Sequence, residues 1–170
     1  MSLDYHIFLG ATVADAAARP LHWVYDPKKL NSYIKNKKDI TFLNKNRCPF
    51  YNIKTGNVSG YNDVGQVMFK SLIEAKNQFE VLKIFKKNIV KNFGPGSKYW
   101  KNLNLRKKYK KIKWTKPMTG PWIHQNIMET IKNIKSKKNI TGGKKVNESD
   151  GFCAVLPYYL YDQKISNVKK

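Results

Sequence analysis

The sequence predicts an all-α protein with a single domain over residues 1–170. Apolar side chains recur at helical spacing in several stretches, and no stretch shows the sustained apolar–polar alternation of a half-buried strand. Proline and glycine fall between these stretches, where they end one helix before the next begins. A chain of 170 residues is long enough to form a hydrophobic core.

The first predicted helix covers residues 5–18 and contains a run of alanines that allows another backbone to approach closely. Pro20 ends it, because the proline ring and the missing N–H are incompatible with a helix interior. His22, Trp23 and Tyr25 follow at once and place an aromatic, hydrogen-bonding cluster where a pocket wall can form. Alternatively, the same residues form a buried helix followed by aromatic side chains that only fill space in the core.

In the next part of the chain, the sequence predicts a long connection and then two helices. Residues 27–60 are rich in Lys, Asn and Gly and are interpreted as irregular. Helices are predicted at 63–76 and 80–93, each with an apolar stripe, and Gly-Pro-Gly-Ser at 94–97 ends the second one. Residues 98–116 are basic and rich in aromatic residues and are interpreted as an inserted loop.

Two more helices are predicted in the last third of the chain. One follows the sequence TGPW, has Pro121 near its start and presents an isoleucine stripe of Ile123, Ile127, Ile131 and Ile134. The other covers 148–162 and presents Phe152, Val155, Leu156, Tyr159 and Leu160 on one face.

Charge is the unusual feature of the composition. Lys+Arg 33 against Asp+Glu 11 gives a formal net charge of +22, which favours anionic partners. Only Arg19, Arg47 and Arg106 are arginines, whereas specific recognition of phosphates and bases relies on the planar guanidinium. Compositional drift with non-specific affinity for polyanions is therefore favoured over dedicated nucleic-acid binding.

The remaining bulk features predict a cytoplasmic protein without a membrane span. Cys48 and Cys153 are far apart in sequence, with no spacing typical of a zinc site, and predict two thiols in a reducing compartment. Asp15 interrupts the apolar run at 7–18, and no Lys or Arg precedes that run, which argues against a signal peptide. No apolar run approaches membrane-spanning length.

Five short motifs in order carry a resemblance to a known family. They are ATVADAAARPLHWVYD, SGYNDVGQ, NFGPGSKY, TGPWIHQNI and TGGKKVNESDGFCAVLPYYLY, and they extend from about residue 7 to about residue 162. In this order they resemble the J-type crystallins of the jellyfish lens, which belong to the ADP-ribosylglycohydrolase superfamily. The resemblance implies an orthogonal all-α bundle around a di-magnesium centre that releases ADP-ribose, with this chain as a truncated, N-terminal half.

The resemblance also implies that the metal ligands are altered. Active members carry a Glu ligand seven residues after the Asp of a Gly-Asp pair, and here His22 stands at that distance from Asp15. Magnesium prefers oxygen ligands, whereas imidazole suits softer metals. Active members also have consecutive carboxylates where this chain has Asn62 and Asp63, so these two are at most vestigial ligands. Locally, Asp63 is instead predicted to be a helix N-cap in a capping box with Gln66.

These departures predict a protein without hydrolase activity and with no catalytic residue. The Asp-rich motif that the family has near its C-terminus has no counterpart here, and Asp15, Asp63 and Asp150 supply too few oxygens for two divalent ions. Asp150 also fits the first turn of a helix. No cofactor is expected, and magnesium only if the chain is active. Residual affinity for ADP-ribose or a nucleotide is expected in a pocket of Asp15, His22, Trp23, Asp150 and Gly151.

Two alternatives and a prediction about assembly stay open at this point. In one, a basic protein binds RNA or DNA through 98–116, where rings stack on bases between cations, with Tyr99, Trp100, Arg106, Lys107, Lys108, Tyr109 and Trp114 as the candidates. In another, the chain is the N-terminal half of a longer, active ADP-ribosyl hydrolase. Uncovered apolar stripes, including the 148–162 face, also predict self-association, which repulsion between the positive charges opposes.

Overall fold

The computed structural model describes residues 3–35, 43–109, 117–139, 141–142 and 153–161. Its helices are α1 (Leu3–Ala18), α2 (Pro27–Ile34), α3 (Gly60–Glu74), α4 (Gln78–Phe93), α5 (Lys98–Tyr109) and α6 (Gln125–Lys135), and residues 153–161 are also helical. The predicted all-α class is confirmed. Asp150 and Gly151 lie outside the described residues.

The end of α1 lies where the sequence predicted it, whereas the segment after it contains a helix that was not predicted. α1 ends at Ala18, and a single 3₁₀ turn over Arg19–Leu21 contains Pro20, as expected. The irregular connection predicted from residue 27 is wrong in its first part, because α2 begins there. Asp26 caps this helix by accepting hydrogen bonds from the backbone N–H groups of Lys28 and Lys29 at 2.9 and 3.4 Å, and proline suits the first helical position.

The start of α3 corrects the predicted cap. Ser59 is the N-cap, and its Oγ accepts a hydrogen bond from the backbone N–H of Tyr61 at 3.2 Å. Asp63 lies inside the first turn, where a carboxylate is favoured by the helix dipole. Gln66 donates to Oδ1 of Asn62 at 2.7 Å instead of bonding the helix start, so the predicted capping box does not form.

The core lies among α3, α4, α5 and α6. Val64 of α3, Ile89 of α4 and Ile131 of α6 are almost fully buried, which confirms the predicted apolar stripes of these helices. A smaller cluster between α3 and α4 consists of Met68, Leu72 and Val81. α6 begins later than predicted, at Gln125, so Pro121 precedes the helix and lies outside its first turn.

Residues 98–116 contain a core helix where a loop was predicted. Lys98–Tyr109 is α5, which Ser97 begins by accepting a hydrogen bond from the backbone N–H of Trp100 at 3.1 Å. Tyr99 and Leu103 of α5 are buried against the main core. The loop interpretation is therefore wrong for this part, and residues 110–116 lie outside the described residues.

A short parallel pairing brings two distant segments together. β1 (Tyr51–Asn52) pairs with β2 (Met118–Thr119), and the N–H of Gly120 donates to the carbonyl of Asn52 at 2.8 Å. Asn102 of α5 donates to the carbonyls of Thr119 and Pro121 at 3.1 and 2.9 Å. Gly120 has a φ of +101°, a conformation that a glycine adopts without strain. The turn at 119–121 is thereby held beside the start of α5.

Within the described ranges, no helix combines the length and the apolar character that crossing a membrane requires.

Candidate functional site

The carboxylate of Asp15 on α1 positions the start of α3. Its two oxygens accept hydrogen bonds from the backbone N–H and the Oγ of Ser59, each at 2.6 Å. Charge-assisted bonds of this length are strong. Asp15 therefore holds the helix cap that sets the direction of α3, and both of its oxygens are already used within the protein.

Asn62 is turned toward α1. Its amide nitrogen donates to Oγ1 of Thr12 at 3.1 Å, and that hydroxyl donates in turn to the carbonyl of Phe8 at 2.9 Å. Its amide oxygen accepts the hydrogen bond from Gln66, and Asn62 is buried. The side chain that the family resemblance assigns to a metal therefore serves the contact between two helices.

Asp63 is engaged by two residues of α5. The hydroxyl of Tyr99 donates a hydrogen bond to Oδ2 of Asp63, and Nζ of Lys98 lies 3.5 Å from the same oxygen. The Asp63 side chain is 21% exposed and that of Lys98 is 68% exposed, so this ion pair lies at the protein surface. The Lys98 ammonium of the same chain is therefore the positive charge next to the Asp63 carboxylate.

Tyr99 keeps its proton in this arrangement. Burial, and then the negative charge and hydrogen bond of Asp63, raise the pKa of the Tyr99 hydroxyl well above its usual value. The hydroxyl is therefore a permanent donor at physiological pH. Because Tyr99 is only 2% exposed, it is not available to stack on a base, and its assignment to a nucleic-acid surface is wrong.

The aromatic cluster predicted after α1 forms around Trp23 and includes His22, but Tyr25, which was predicted to belong to it, is 81% exposed. The Trp23 ring lies edge-on to Phe50 and to Trp122, with centroids 5.1 Å apart in both pairs, and to Tyr51 at 5.7 Å. Trp23 has a φ of +59°, which is unusual for a bulky residue and is held here by packing on several sides.

His22 belongs to the same cluster. Nδ1 of His22 and the hydroxyl of Tyr51 are 3.0 Å apart, within hydrogen-bond distance. Burial lowers the pKa of His22, the negative charge of Asp15 opposes this, and the positive charge of Arg19 adds to it. His22 and Trp23 thus lie beside each other as predicted, packed among aromatic rings.

Arg19 holds the loop before α3, a role that no sequence signal indicated beyond its position after the alanine run. Its side chain is fully buried. Its guanidinium donates to the carbonyls of Asn57 and Lys54 at 2.9 and 3.2 Å and to Oδ1 of Asn46 at 3.0 Å. The planar donor fork of arginine suits such divergent neutral acceptors, which fix residues 46–57 against the end of α1.

A close contact joins this loop region to the segment before α6. A Cβ atom at Gly60 would lie 2.9 Å from the carbonyl oxygen of Trp122, closer than side chains tolerate. Glycine therefore allows the start of α3 to meet the segment that carries His124. The rings of Tyr61 and His124 lie 4.0 Å apart, centroid to centroid.

Two neighbouring cavities share Asp63 and Lys98 in their walls. The aromatic cavity, of about 470 Å³, lies among α1, α3, α4 and α5 and includes Phe8, Phe69 and Phe93. The polar cleft, of about 490 Å³, lies between the 52–58 segment and the 119–121 turn and includes Asn52, Lys54, Asn57 and Thr119. The ion pair forms part of both walls, so a ligand in either cavity can contact it.

The described residues do not fit the two magnesium ions that the family resemblance implies. Oδ2 of Asp63 already accepts from Tyr99 and pairs with Lys98, and a cation would compete with an ammonium group at that oxygen. In the part of the chain that the structure covers, no three His, Cys, Asp or Glu side chains come together as a metal site. Hard divalent cations need several converging oxygens.

The other predicted site residues are scattered. Trp100 is half-buried and packs against the main core. Arg106, Lys107, Lys108 and Tyr109 lie in α5. Trp114, Asp150 and Gly151 lie outside the described residues. The structure thus brings together Asp15, His22 and Trp23 near the α1–α3 junction, and Asp63 near α5.

Two known proteins are similar in sequence to this chain. Crystallin J1B of Tripedalia cystophora is 32% identical over 149 residues, which is 88% of this chain and 43% of that protein. Crystallin J1A of the same organism is 30% identical over 149 residues, with the same coverage of 88% and 43%. The chain is homologous to the jellyfish J crystallins.

This homology to the J crystallins covers nearly all of the chain but less than half the length of the crystallins. No protein-family model matches the chain, and no solved structure gives a significant match. The J-crystallin relationship therefore rests on sequence similarity over 149 residues of the chain.

Proposed function

We propose that this J-crystallin-like protein has the ADP-ribosylglycohydrolase type of fold without its hydrolase activity. The observation that carries the proposal is the state of Asp63, whose Oδ2 is engaged by the Tyr99 hydroxyl and the Lys98 ammonium. A carboxylate in an internal ion pair is a poor ligand for a divalent cation, and Asn62 is directed to Thr12. Side chains of this protein therefore engage Oδ2 of Asp63 and the amide of Asn62, which metal-dependent hydrolysis would need as free metal ligands.

The proposal includes metal-independent binding of ADP-ribose or a related nucleotide. The polar cleft offers the cations Lys54 and Lys98 together with the side chains of Asn52, Asn57 and Thr119. Ammonium groups attract phosphate oxygens, while amides and hydroxyls can bond the hydroxyls of a ribose. The overall charge of +22 further favours an anionic ligand. These features support a binding protein. Cys48 and Cys153 form no disulfide, which suits the reducing compartment of the cytoplasm.

A calorimetric titration of the purified chain with ADP-ribose tests the binding function. We expect binding in EDTA that is unchanged when magnesium replaces EDTA. Lys98→Ala should weaken it by about tenfold, as expected for the loss of a charge-assisted hydrogen bond. Lys101→Ala is the matched control, since Lys101 is an exposed lysine of the same helix that borders neither cavity.

Three results would count against this function. Binding that appears only with magnesium would contradict the metal-independent site, and absence of binding under both conditions would remove the nucleotide function altogether. An equal loss in Lys98→Ala and Lys101→Ala would indicate attraction by the general surface charge, as for any polyanion.

A further inference from the structure

Three large apolar side chains at the turn between α3 and α4 lie in solvent, and together they are called the hairpin tip. Ile73 in the last turn of α3 is 71% exposed, and Phe79 and Leu82 at the start of α4 are 85% and 59% exposed. Their neighbours Leu72 and Val81 are buried between the two helices. Single exposed apolar residues are common, but three at one end of a helical hairpin indicate a surface that meets a partner.

The turn that carries the hairpin tip is fixed by its own hydrogen bonds. Oδ1 of Asn77 accepts from the backbone N–H groups of Phe79 and Glu80 at 3.0 and 3.2 Å. Oε2 of Glu80 accepts from the backbone N–H of Lys76 at 3.1 Å. Three backbone donors are thereby satisfied within the helix cap. Because these donors do not depend on water, the end of the hairpin can enter a less polar environment at low cost.

Lysines follow the apolar side chains along one face of α4. Four residues have the i, i+3, i+4 and i+7 spacing of helix neighbours: Phe79, Leu82, Lys83 and Lys86. At the rise of an α-helix, Lys83 and Lys86 lie about 6 and 10 Å further along the axis than Phe79. Apolar side chains therefore come first and cations follow, which matches the order of acyl chains and headgroups at a membrane surface.

The acids near the hairpin tip do not cancel its positive charge. Residues 70–87 contain five lysines and two acids. Glu74 accepts a hydrogen bond from Asn88 at 2.8 Å and lies 3.8 Å from Nζ of Lys70, and Glu80 is part of the helix cap. Both acids are therefore engaged within the protein, and the surface around the hairpin tip is complementary to a negatively charged partner.

We propose that the hairpin tip binds this protein to the surface of an anionic membrane without crossing it. The apolar side chains enter the boundary between headgroups and acyl chains, and the lysines of α4 contact the anionic headgroups. A second copy of the chain is a less suitable partner, because two copies that each carry a charge of +22 repel each other. The inference is independent of nucleotide binding, since the three apolar side chains line neither the aromatic cavity nor the polar cleft.

Flotation with lipid vesicles measures this binding. We expect the chain to float at low salt with vesicles of phosphatidylcholine mixed with phosphatidylserine, and to float much less with phosphatidylcholine alone. Phe79→Ser should weaken binding to the mixed vesicles by about tenfold, as expected for the loss of a buried ring without a change of charge. Tyr25→Ser is the matched control, because it removes an 81% exposed ring elsewhere and also keeps the charge.

Two double variants test the lysines. Replacing both Lys83 and Lys86 by Gln should weaken binding to the mixed vesicles more than replacing both Lys135 and Lys138 by Gln. The second pair removes the same charge at the end of α6, where both lysines are exposed. Equal losses in the two double variants would show that only the general positive charge attracts the protein, and would overturn the proposed membrane surface.

Salt separates a membrane from a second copy of the chain. Added salt weakens the attraction of lysines to headgroups, whereas it promotes contact between two positively charged copies. Absence of flotation at low salt overturns the proposal, and a loss of salt-induced self-association in Phe79→Ser would then assign the hairpin tip to a second copy. Flotation of Phe79→Ser equal to that of the wild type also overturns it. Leu82→Ser gives the same comparison if thermal melting shows that Phe79→Ser does not fold.

Discussion

The hydroxyl of Tyr99 on α5 donates a hydrogen bond to the carboxylate of Asp63 on α3. This bond connects the segment that the sequence predicted as a loop to the motif where the family resemblance implied vestigial metal ligands. Lys98, the neighbour of Tyr99, adds an ion pair with the same carboxylate. The first turn of α5 thus supplies both the hydrogen bond and the positive charge at the Asp63 carboxylate.

Removing the Tyr99 hydroxyl should destabilise the fold. In Tyr99→Phe the Asp63 carboxylate loses a buried donor, and we expect the free energy of unfolding to fall by about 1–3 kcal/mol. Urea denaturation followed by circular dichroism measures the change. Tyr25→Phe is the control, because Tyr25 is 81% exposed and should change stability little. Equal effects of the two substitutions would show that the Tyr99–Asp63 bond contributes nothing specific.

The isolated chain should not release ADP-ribose when magnesium is added. The reason is the engagement of Asp63 by Tyr99 and Lys98, together with His22 at the position where the family resemblance places an acid. A product assay on an ADP-ribosylated substrate with magnesium checks this. Enzyme-like turnover that Asp63→Ala abolishes would refute the proposal, and Glu129→Ala, at an acid outside both the aromatic cavity and the polar cleft, serves as the matched control.

His22 should make the fold less stable in mild acid. Since burial lowers the pKa of His22 in the folded state, the unfolded chain takes up a proton first as the pH falls below 6.5, the ordinary value for histidine. The contribution of His22 to stability is therefore complete above that pH and decreases below it. His22→Asn, whose amide can still bond Tyr51, should flatten the stability–pH curve below pH 6.5.

Urea denaturation across that pH range measures the slope. His6→Asn, at an exposed position on α1, is the comparison. A His22→Asn curve parallel to the wild-type curve would contradict the prediction.

Binding to polyanions should be real but unspecific. The charge of +22 is almost entirely lysine, which acts through release of counterions and not through base recognition. Affinities for unrelated RNA and DNA sequences should fall together and steeply as salt rises, as filter binding or fluorescence anisotropy can measure. A preference for one sequence that persists at physiological salt would instead support a nucleic-acid function.

The chain should self-associate as salt is raised. Among the described residues, Ile73, Phe79 and Leu82 near the α3–α4 turn are 71%, 85% and 59% exposed, and Val155 and Tyr159 are each 56% exposed. Salt screens the repulsion between positively charged copies, whereas contacts between apolar side chains persist. Sedimentation velocity across a salt series measures the mass.

Single substitutions should identify the associating surface. Phe79→Ser should reduce association and Tyr25→Ser, at an equally exposed ring on another surface, should not. A protein that stays monomeric at high salt and binds no apolar dye would contradict the prediction.

Local sequence patterns were sufficient for most of the helices. The isoleucine spacing of α6 and the apolar stripes of α3 and α4 are periodic signals that arise within one segment. The structure buries residues that these stripes selected, such as Ile89 and Ile131, but leaves Leu82 of the α4 stripe 59% exposed. Pro20 and the glycines after Phe93 ended α1 and α4 as expected, because backbone restrictions act locally. The Asp-Pro pair at 26–27 carried an equally local signal for α2, which the lysine-rich composition obscured.

The site depends on contacts between segments that are distant in sequence, so patterns in one segment could not predict it. Tyr99 is one of ten tyrosines in a chain rich in lysine, and only the packing of α5 against α3 distinguishes it. In the same way, only the tertiary structure shows that Arg19 holds the loop at 46–57, and that Asp15 caps α3 through Ser59. The sequence by itself determined that α1, α3, α4 and α6 are helical, because the periodicity of apolar residues is local, but it missed α2 and α5. The tertiary structure decided what Asp15 and Asp63 do, because their partners Ser59, Tyr99 and Lys98 come from segments distant in sequence.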